Sequence, residues 1–431
     1  MGTSIELTVG GITLDWSKNG MGADYGFLFQ EGDRTRRRSD QISYEYFEEH
    51  PEEDLTAHEA AFVRPLARVL PRLNLIGGTL DAACAEYDEV LKQSLELLGL
   101  DRTVEASRQP MTFEEFCAFA CSHPLVNLDD TYVKYGEDGY DQRVKGRFAE
   151  DEKDIERIPN AGFSNEYWSE CSYFGNMVCI LSPYSMLQIF GLNPANAQAE
   201  VVWQYGAIVE SGWVDEEAFE PGVRRGQAIL VATEGTSDAR IIKHALDLLE
   251  PDVADFFRFI DANERHPFWG TGNLVKFAEG LVRIDVQNQV IFLLDNDAEG
   301  LDAYLRLRQL GMPGNMRAMI LPNLEAFQEF RARGPEGLRT CDINGRAAAI
   351  ECYLDLNLPG YPPAQVLWTN YKKEVDTWQG ALEYKETYMR RFLDQVSGTL
   401  DKSGYDTSKL EMVLHALLAE ATILAVGDIT V

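Results

Sequence analysis

Three carboxylates, Glu234, Asp295 and Asp297, have residue types and positions that favour metal-dependent chemistry. Glu234 follows the apolar run AILVAT, and Asp295 and Asp297 end the run QVIFLLDND. Because two carboxylates held close together repel each other, both stay ionised only when a cation lies between them. Oxygen ligands of this kind suit Mg²⁺ or Mn²⁺, which activate water and stabilise attack on a phosphodiester. The three residues therefore predict a divalent-metal site for phosphoryl chemistry.

The elements that must position these carboxylates are strands that alternate with helices in the second half of the chain. Such alternation predicts a parallel sheet with right-handed crossovers. Ligands of an open parallel sheet bind beyond the carboxyl ends of its strands, so we expect the three carboxylates to share one cleft. Hydrophobic periodicity predicts strands over 228–233, 256–260, 289–295 and 316–321, and helices over 237–249, 273–282 and 299–310.

Four further residues are candidates for the same site. Asp238 and Glu299 stand beside the main carboxylates and are candidate ligands of a second ion or supports of the first ligands. Glu351 is a candidate additional carboxylate. Lys385 is a candidate point charge for a phosphate. The alternative for Glu351 and Lys385 is that both are solvated helix residues paired with local neighbours.

The segments EGTSD at 234–238 and DND at 295–297 resemble the two signature motifs of the Toprim domain. That domain is shared by type IA and type II topoisomerases, bacterial primases, overcoming-lysogenization-defect nucleases, small ribosomal-RNA maturases and recombination proteins. The resemblance covers roughly residues 226 to 322. It implies a Rossmann-like core with a Mg²⁺-dependent phosphotransfer site for nucleic acids. Glu234 would be the acid/base or metal-ligand glutamate, and Asp295 and Asp297 the metal-ligand pair.

Several Toprim classes do not fit the remainder of the chain. The chain has no room for the gate domains of a topoisomerase and no Cys/His set for the zinc module of a primase. It also has no GxxxxGK[ST] segment, so it has no fused ATPase of the overcoming-lysogenization-defect type. A nuclease is the class that remains.

The N-terminal run MGTSIELTVGGITLDWSKNG, followed by DYGFLFQEGD, resembles the start of bacterial proteins described as HEPN/Toprim-associated. The resemblance implies an N-terminal β unit and a helical region before a Toprim domain, and a role in defence against phage. The HEPN ribonuclease motif is Arg, four to six residues, then His. Arg240 precedes His244 by too little and Arg258 precedes His266 by too much. We therefore expect a helical region that is HEPN-like in shape at most, without a ribonuclease site.

Other local patterns outline the rest of the chain. Gly10-Gly11 predicts a hairpin between SIELTV and ITLDW, and Thr112 with Glu115 predicts the capped start of a helix over 112–121. The segment 126–160 is predicted to be a long surface loop. Further helices are predicted within 57–99 and over 183–191, 195–209, 323–333, 344–356, 378–397 and 407–421. The predicted domains are a β unit at 1–56, a mainly helical region at 57–222, a Toprim domain with a helical extension at 223–398 and a C-terminal helix at 399–431.

Composition restricts the class of protein and its partners. The chain has 431 residues, 45% hydrophobic and 25% charged, which is typical of a soluble globular protein. Its formal net charge of −31 repels polyanions, so contact with nucleic acid needs a local basic patch, a protein partner or bridging metal ions. Arg34 and Arg36–Arg38 form one candidate patch, and a solvated loop is the alternative interpretation.

Cysteine usage and hydropathy predict a cytoplasmic location without a membrane span. The seven cysteines form no regular framework, which indicates reduced thiols. No apolar run approaches the length of a membrane-spanning helix, and the N-terminus lacks the pattern of a secretory signal. Cys117, Cys121 and His123 are interpreted as helix packing residues, because no second ligand pair has zinc-site spacing.

The leading hypothesis is a Mg²⁺- or Mn²⁺-dependent nuclease for DNA or RNA that acts in prokaryotic anti-phage defence. The alternative is a non-cleaving subunit that binds nucleic acid or acts as a scaffold in a defence complex. Phosphoryl transfer to a nucleotide ranks third, because nothing in the sequence selects a base. Nucleic acid is the expected partner, and a protein trigger and a homo-oligomer are further candidates.

Overall fold

The computed structural model describes residues 2–39, 42–98, 109–160, 167–259, 270–396, 400 and 404–429. The chain divides into two compact units, Met1–Asn74 with Gly78–Gly222, and Leu75–Gly77 with Val223–Val431. Strands of the first unit are β1 Ser4–Val9, β2 Ile12–Lys18, β3 Arg34–Arg36, β4 Ala60–Pro65 and β5 Glu200–Gln204. Its helices are α1 Tyr44–Glu49, α2 Leu55–His58, α3 Leu66–Asn74, α4 Leu80–Leu98, α5 Phe113–Ala120, α6 Tyr140–Lys145, α7 Glu152–Ile155, α8 Glu170–Val178, α9 Pro183–Gly191 and α10 Gly206–Glu210.

The first unit is built on one antiparallel sheet with the strand order β2-β1-β5-β4-β3. The predicted hairpin joins β1 to β2, and Gly10 and Gly11 both have positive φ, which glycine adopts without strain. Strands β4 and β5 come from the region predicted to be mainly helical. The sheet therefore takes strands from both sides of the predicted boundary after residue 56.

Two helix predictions in the first unit are wrong in part. The helical patterns over 57–99 and 195–209 contain β4 and β5, because a short buried apolar run does not distinguish a strand from a helix by periodicity. The predicted loop over 126–160 contains the short helices α6 and α7. The predicted cap is confirmed: Thr112 accepts from the Glu115 amide, and the Glu115 carboxylate accepts from the Thr112 amide.

The second unit contains a parallel sheet and a second, mixed sheet. Its strands are β6 Ile229–Thr233, β7 Phe257–Phe259, β8 Val290–Leu294, β9 Asn296–Asp297, β10 Met316–Ile320, β11 Phe330–Gly334, β12 Gly337–Cys341, β13 Ala347–Ala348, β14 Val366–Lys372 and β15 Thr377–Leu382. Its helices are α11 Thr236–Leu249, α12 Thr271–Arg283, α13 Ala298–Gln309, α14 Lys385–Leu393 and α15 Ser408–Ile429.

The parallel sheet has the order β10-β8-β6-β7 and follows the predicted alternation of strands and helices. All five residues of β8 are buried. Ile291 and Leu293 belong to one hydrophobic cluster, whereas Val290, Phe292 and Leu294 belong to a second. Burial on both faces explains why the strand is a continuous apolar run. The chain is thus a mixed α/β protein with a parallel sheet, which agrees with the predicted class.

The region after the parallel sheet differs from the sequence prediction. Helices predicted over 323–333 and 344–356 are wrong. The first segment contains a 3₁₀ turn at Glu325–Phe327 and most of β11, and the second contains β13 and a 3₁₀ turn at Ile350–Tyr353. The helix predicted over 378–397 begins at Lys385, after strand β15. Strands β11, β12, β14 and β15 form a sheet of order β12-β11-β14-β15. The predicted boundary between 398 and 399 lies outside the described residues.

The last helix, α15, is long and apolar enough over Ser408–Gly427 to cross a membrane by length and composition. Several of its side chains instead belong to the core of the second unit. They include Leu410, Val413, Leu414, Leu417, Ala421 and Leu424. A core helix of a soluble protein passes the same length and composition test.

Candidate acidic centre

Glu234 and Asp295 lie side by side at the carboxyl end of the parallel sheet. Glu234 follows β6 and Asp295 follows β8, and these two strands are neighbours with Thr233 opposite Leu293. The Asp295 amide donates to Glu234 Oε1 at 3.2 Å. The strand order therefore brings together two residues that are far apart in sequence, at the position where open parallel sheets bind ligands.

Asp297 lies at the start of helix α13. Its Oδ1 accepts from the amides of Glu299 at 3.0 Å and Gly300 at 2.8 Å, so it is the N-cap of the helix. Its Oδ2 accepts from Gln379 Nε2 at 2.5 Å. Gln379 is on β15, and no feature of its local sequence predicted this contact. The Gln379 side-chain oxygen also accepts from the Glu299 amide at 3.1 Å.

Gly300 permits the close approach of α13 to the end of β8. A Cβ at this position would overlap the carbonyl oxygen of Asp295 and would lie 3.0 Å from Glu234 Oε1. Gly300 was not singled out from the sequence. A glycine in the first turn of a predicted helix is the signal that could have identified it, because glycine is unfavourable in a helix interior.

The segment that follows β12 in the chain contacts Asp295 and Asp297. Strand β13 pairs antiparallel with β9, which places Ala347 opposite Asp297. The Ile350 amide donates to Asp295 Oδ1 at 2.8 Å. Asp295 and Asp297 therefore accept hydrogen bonds from different parts of the chain.

Asp238 and Glu351 also belong to this group of carboxylates. Asp238 accepts from the Gly235 amide at 2.9 Å and from Ser237 Oγ at 3.0 Å. Glu351 Oε1 lies 3.8 Å from Lys385 Nζ, and Lys385 is 51% exposed. We name Glu234, Asp238, Asp295, Asp297 and Glu351 the acidic centre. Lys385 thus pairs with a residue of the acidic centre, and not with a local helix neighbour.

Burial and mutual repulsion raise the pKa values of four carboxylates of the acidic centre, Glu234, Asp238, Asp295 and Asp297. Burial raises the pKa of Glu234 well above its usual range, and the charges of Asp297 and Asp238 raise it further. Burial does the same to the pKa of Asp295, reinforced by Asp238 and Glu234. Burial and the charge of Glu351 raise the pKa of Asp238 to about 6. The centre is therefore a cluster of negative groups with insufficient positive charge nearby.

Hydrogen bonds moderate the effect at Asp297. Burial raises its pKa, while the Gly300 amide and the Gln379 side chain stabilise the ionised form. Glu299 lies near enough that its charge raises the pKa values of both Glu234 and Asp297. All seven candidate residues from the sequence therefore interact with at least one other member of the set.

The donor chemistry of the acidic centre suits a hard divalent cation. Every donor is a carboxylate oxygen, which is the ligand type that Mg²⁺ and Mn²⁺ prefer. Glu234 Oε2 and Asp295 Oδ2 accept no hydrogen bond from the described residues. Within the same residues, no three His, Cys, Asp or Glu side chains are arranged to hold an ion as they stand.

The fold and this centre define a mixed α/β protein with acidic residues at the carboxyl edge of a parallel sheet. The family model described as HEPN/Toprim N-terminal domain 1 matches residues 1–227, and the chain belongs to this family. The matched residues end before Glu234, so they do not include the acidic centre. No curated protein and no solved structure matches the chain.

Proposed function

We propose that the chain is a Mg²⁺- or Mn²⁺-dependent nuclease that hydrolyses phosphodiester bonds of DNA or RNA at the acidic centre. The observation that carries the proposal is the convergence of repelling carboxylates at the carboxyl ends of β6 and β8, where Glu234 and Asp295 are partly buried and Asp297 is buried. Perturbed carboxylates without a compensating cation are costly to stability, and they are typical of functional sites. The family name supports a nuclease-related role.

The proposal includes a Toprim domain in the second unit. In support, the glutamate motif follows β6 and the DxD motif follows the neighbouring strand β8, each before a helix. This is the order that the resemblance implies. The sheet β12-β11-β14-β15 and helix α14 form its C-terminal extension, and they supply Gln379 and Lys385 to the centre.

The residues of the centre have distinct roles in this proposal. Asp295 and Asp297 would hold the ion, with Asp238, Glu299 and Glu351 as candidate ligands of a second. Bound divalent ions supply charge stabilisation and lower the pKa of water. Glu234, which lies beside Asp295 and whose pKa is raised by burial, is the candidate to accept and return a proton. The exposed ammonium of Lys385 can meet a phosphate oxygen.

A cytoplasmic role in anti-phage defence completes the proposal, and its support is membership of the HEPN/Toprim N-terminal family. A non-cleaving scaffold or nucleic-acid-binding subunit is the second candidate. The observation that favours it is that the described carboxylates form no ready ion-binding group. A protein trigger that rearranges them would reconcile that observation with cleavage.

The test is incubation of the full chain with plasmid DNA and with bulk tRNA in Mg²⁺ or Mn²⁺. We expect cleavage that falls by about a thousandfold or more in Asp295→Asn and in Asp297→Asn, since each loses a charge at the reacting centre. The matched control is Asp247→Asn, an exposed carboxylate on α11, which should cleave like the wild type. Cleavage that survives both substitutions would exclude the centre, and Mg²⁺-independent binding without cleavage would favour the scaffold.

A further inference from the structure

One face of the sheet β12-β11-β14-β15 is open and carries two arginines. Ala332 on β11, Val366 on β14 and Leu382 on β15 are neighbours across the three strands. All three are buried in the hydrophobic core of the second unit. The residues between them point to the opposite face, because side chains alternate along a strand. These include Arg331 and Arg333 on β11, both exposed. We name this opposite face the arginine face.

The arginine face has a defined lateral order. Thr340 lies opposite Arg331, and Leu338 lies opposite Arg333, on the edge strand β12. On the other side Arg333 neighbours Leu367, and Leu367 lies opposite Ala381 on β15. Leu338, Thr340 and Ala381 are exposed. The arginines and their neighbours on β12 are therefore exposed on this face, while Leu367 is partly buried.

The two arginines are unpaired within the part of the chain that the structure describes. Among the described residues, neither the Arg331 nor the Arg333 guanidinium forms an ion pair or a hydrogen bond, whereas the neighbouring Arg339 pairs with Glu336 at 2.7 Å. They are two positions apart on one strand, so their Cα atoms are about 7 Å apart. Two unpaired guanidinium groups at this spacing match a row of phosphates along an extended backbone.

The same face reaches the acidic centre at strand β15. Gln379 and Ala381 are two positions apart and therefore share a face of the strand. Gln379 donates to Asp297, and Lys372, opposite Thr377, lies 3.7 Å from Asp302 on α13. Helix α13 thus lies over the β15 end of the face. Two strand spacings, about 10 Å, separate β15 from the arginines.

Negative charge is unevenly distributed between the two units, and the arginines lie in the less acidic one. Residues 1–222 contain 17 Lys and Arg against 40 Asp and Glu, whereas residues 223–431 contain 22 against 30. A polyanion is therefore repelled less by the second unit than by the first. An unpaired basic pair beside a centre for phosphoryl chemistry supplies the local patch that the acidic chain needs.

We infer that the arginine face binds the sugar-phosphate backbone of the substrate strand through Arg331 and Arg333 and directs that strand to the acidic centre. The inference rests on the proposed nuclease function, because it assigns the substrate path of that site. Contact with phosphates carries no base information, so the face binds without sequence preference. The occupant is one strand of nucleic acid held by its charge.

The experiment measures binding without cleavage. Full chain carrying Asp295→Asn and Asp297→Asn is titrated against a fluorescein-labelled single-stranded oligonucleotide, in a DNA and an RNA form, in Mg²⁺ at several salt concentrations. Adding Arg331→Ala and Arg333→Ala should weaken binding about tenfold or more. It should also reduce the slope of log affinity against log salt by about 1.4, the loss of two contacts with a single strand.

The matched control removes two other exposed arginines of the same unit, as Arg258→Ala with Arg283→Ala. This control should bind like its parent, and Arg331→Lys with Arg333→Lys should retain most of the affinity. Equal weakening in both alanine pairs, or no binding by the parent, would overturn the arginine face. If the wild type never cleaves but binding still depends on Arg331 and Arg333, the nuclease proposal is wrong and the binding role of the arginine face stands.

Discussion

The two units differ in whether their buried charged groups have partners of opposite charge. In the first unit Arg64, 0% exposed, forms an ion pair with Asp33 and donates to Gln30 Oε1 at 3.1 Å. Burial alone would raise the pKa of Glu170, but Arg147 and two backbone amides hold it below its usual range. In the second unit the acidic centre contains several buried carboxylates whose pKa values are raised.

The difference separates a charge that supports the fold from a charge that supports chemistry. A buried ion pair recovers its desolvation cost only when its partners and hydrogen bonds are complete, as around Arg64 and Glu170. The acidic centre lacks that completion. Because repulsion within it destabilises the folded state, a bound ligand that supplies positive charge would stabilise the protein.

The largest expected effect comes from breaking a completed pair. Arg64→Ala should lower the free energy of unfolding by about 3–5 kcal/mol, because it leaves the Asp33 carboxylate buried without its cation. Arg143→Ala, which removes an exposed ion pair with Glu137, should cost less than about 1 kcal/mol. Urea unfolding followed by circular dichroism measures both.

The same measurement on Asp295→Asn tests the other half of the comparison. The asparagine retains an acceptor for the Ile350 amide and removes a repelling charge. We expect stability equal to or above that of the wild type in metal-free buffer. A loss as large as that of Arg64→Ala would show that Asp295 is a structural residue, and the contrast between the units would fail.

The sequence predicted the acidic centre better than it predicted the elements around it. Glu234 and Asp295 could be placed because each ends a short apolar strand, and neighbouring parallel strands end at one edge. Gln379 and the Ile350 amide could not be placed, because their contacts depend on β13, β14 and β15, whose pairings join distant segments. The helical patterns over 323–333 and 344–356 were overridden by those pairings.

The pH dependence of stability should have opposite signs at Asp238 and Glu170. The folded-state pKa of Asp238, about 6, is above its ordinary value of 3.8, so the folded state binds the proton more tightly. Its contribution to stability is present at low pH and is lost as pH rises between about 4 and 6. The loss is on the order of 3 kcal/mol. Glu170, whose pKa is lowered, contributes stability that is lost as pH falls below its ordinary value of 4.5.

Difference melting curves in metal-free buffer check this contrast. Between pH 4 and pH 7, wild type should lose stability relative to Asp238→Asn, and saturating Mg²⁺ should restore it at pH 7. Below pH 4.5 the wild type should lose its advantage over Glu170→Gln. If the stability difference between wild type and Asp238→Asn does not change with pH, the folded state does not raise the pKa of Asp238.

Gly300→Ala should cost less stability than Arg64→Ala but should have a large effect on ion binding. Gly300→Ala places a Cβ against the Asp295 carbonyl oxygen, a backbone atom that cannot move without shifting β8 or α13. The cost should be about 1–3 kcal/mol, as for other overpacked sites. Displacement of Asp295 from Glu234 should also remove most Mg²⁺-dependent stabilisation, measured as the rise in melting temperature on adding Mg²⁺.

Gly311→Ala provides the control, because its φ is positive but no atom lies within 4 Å of its added Cβ. It should cost stability while leaving the Mg²⁺ response unchanged, and a Gly300→Ala variant with the wild-type Mg²⁺ response would show that the approach of α13 is irrelevant to ion binding.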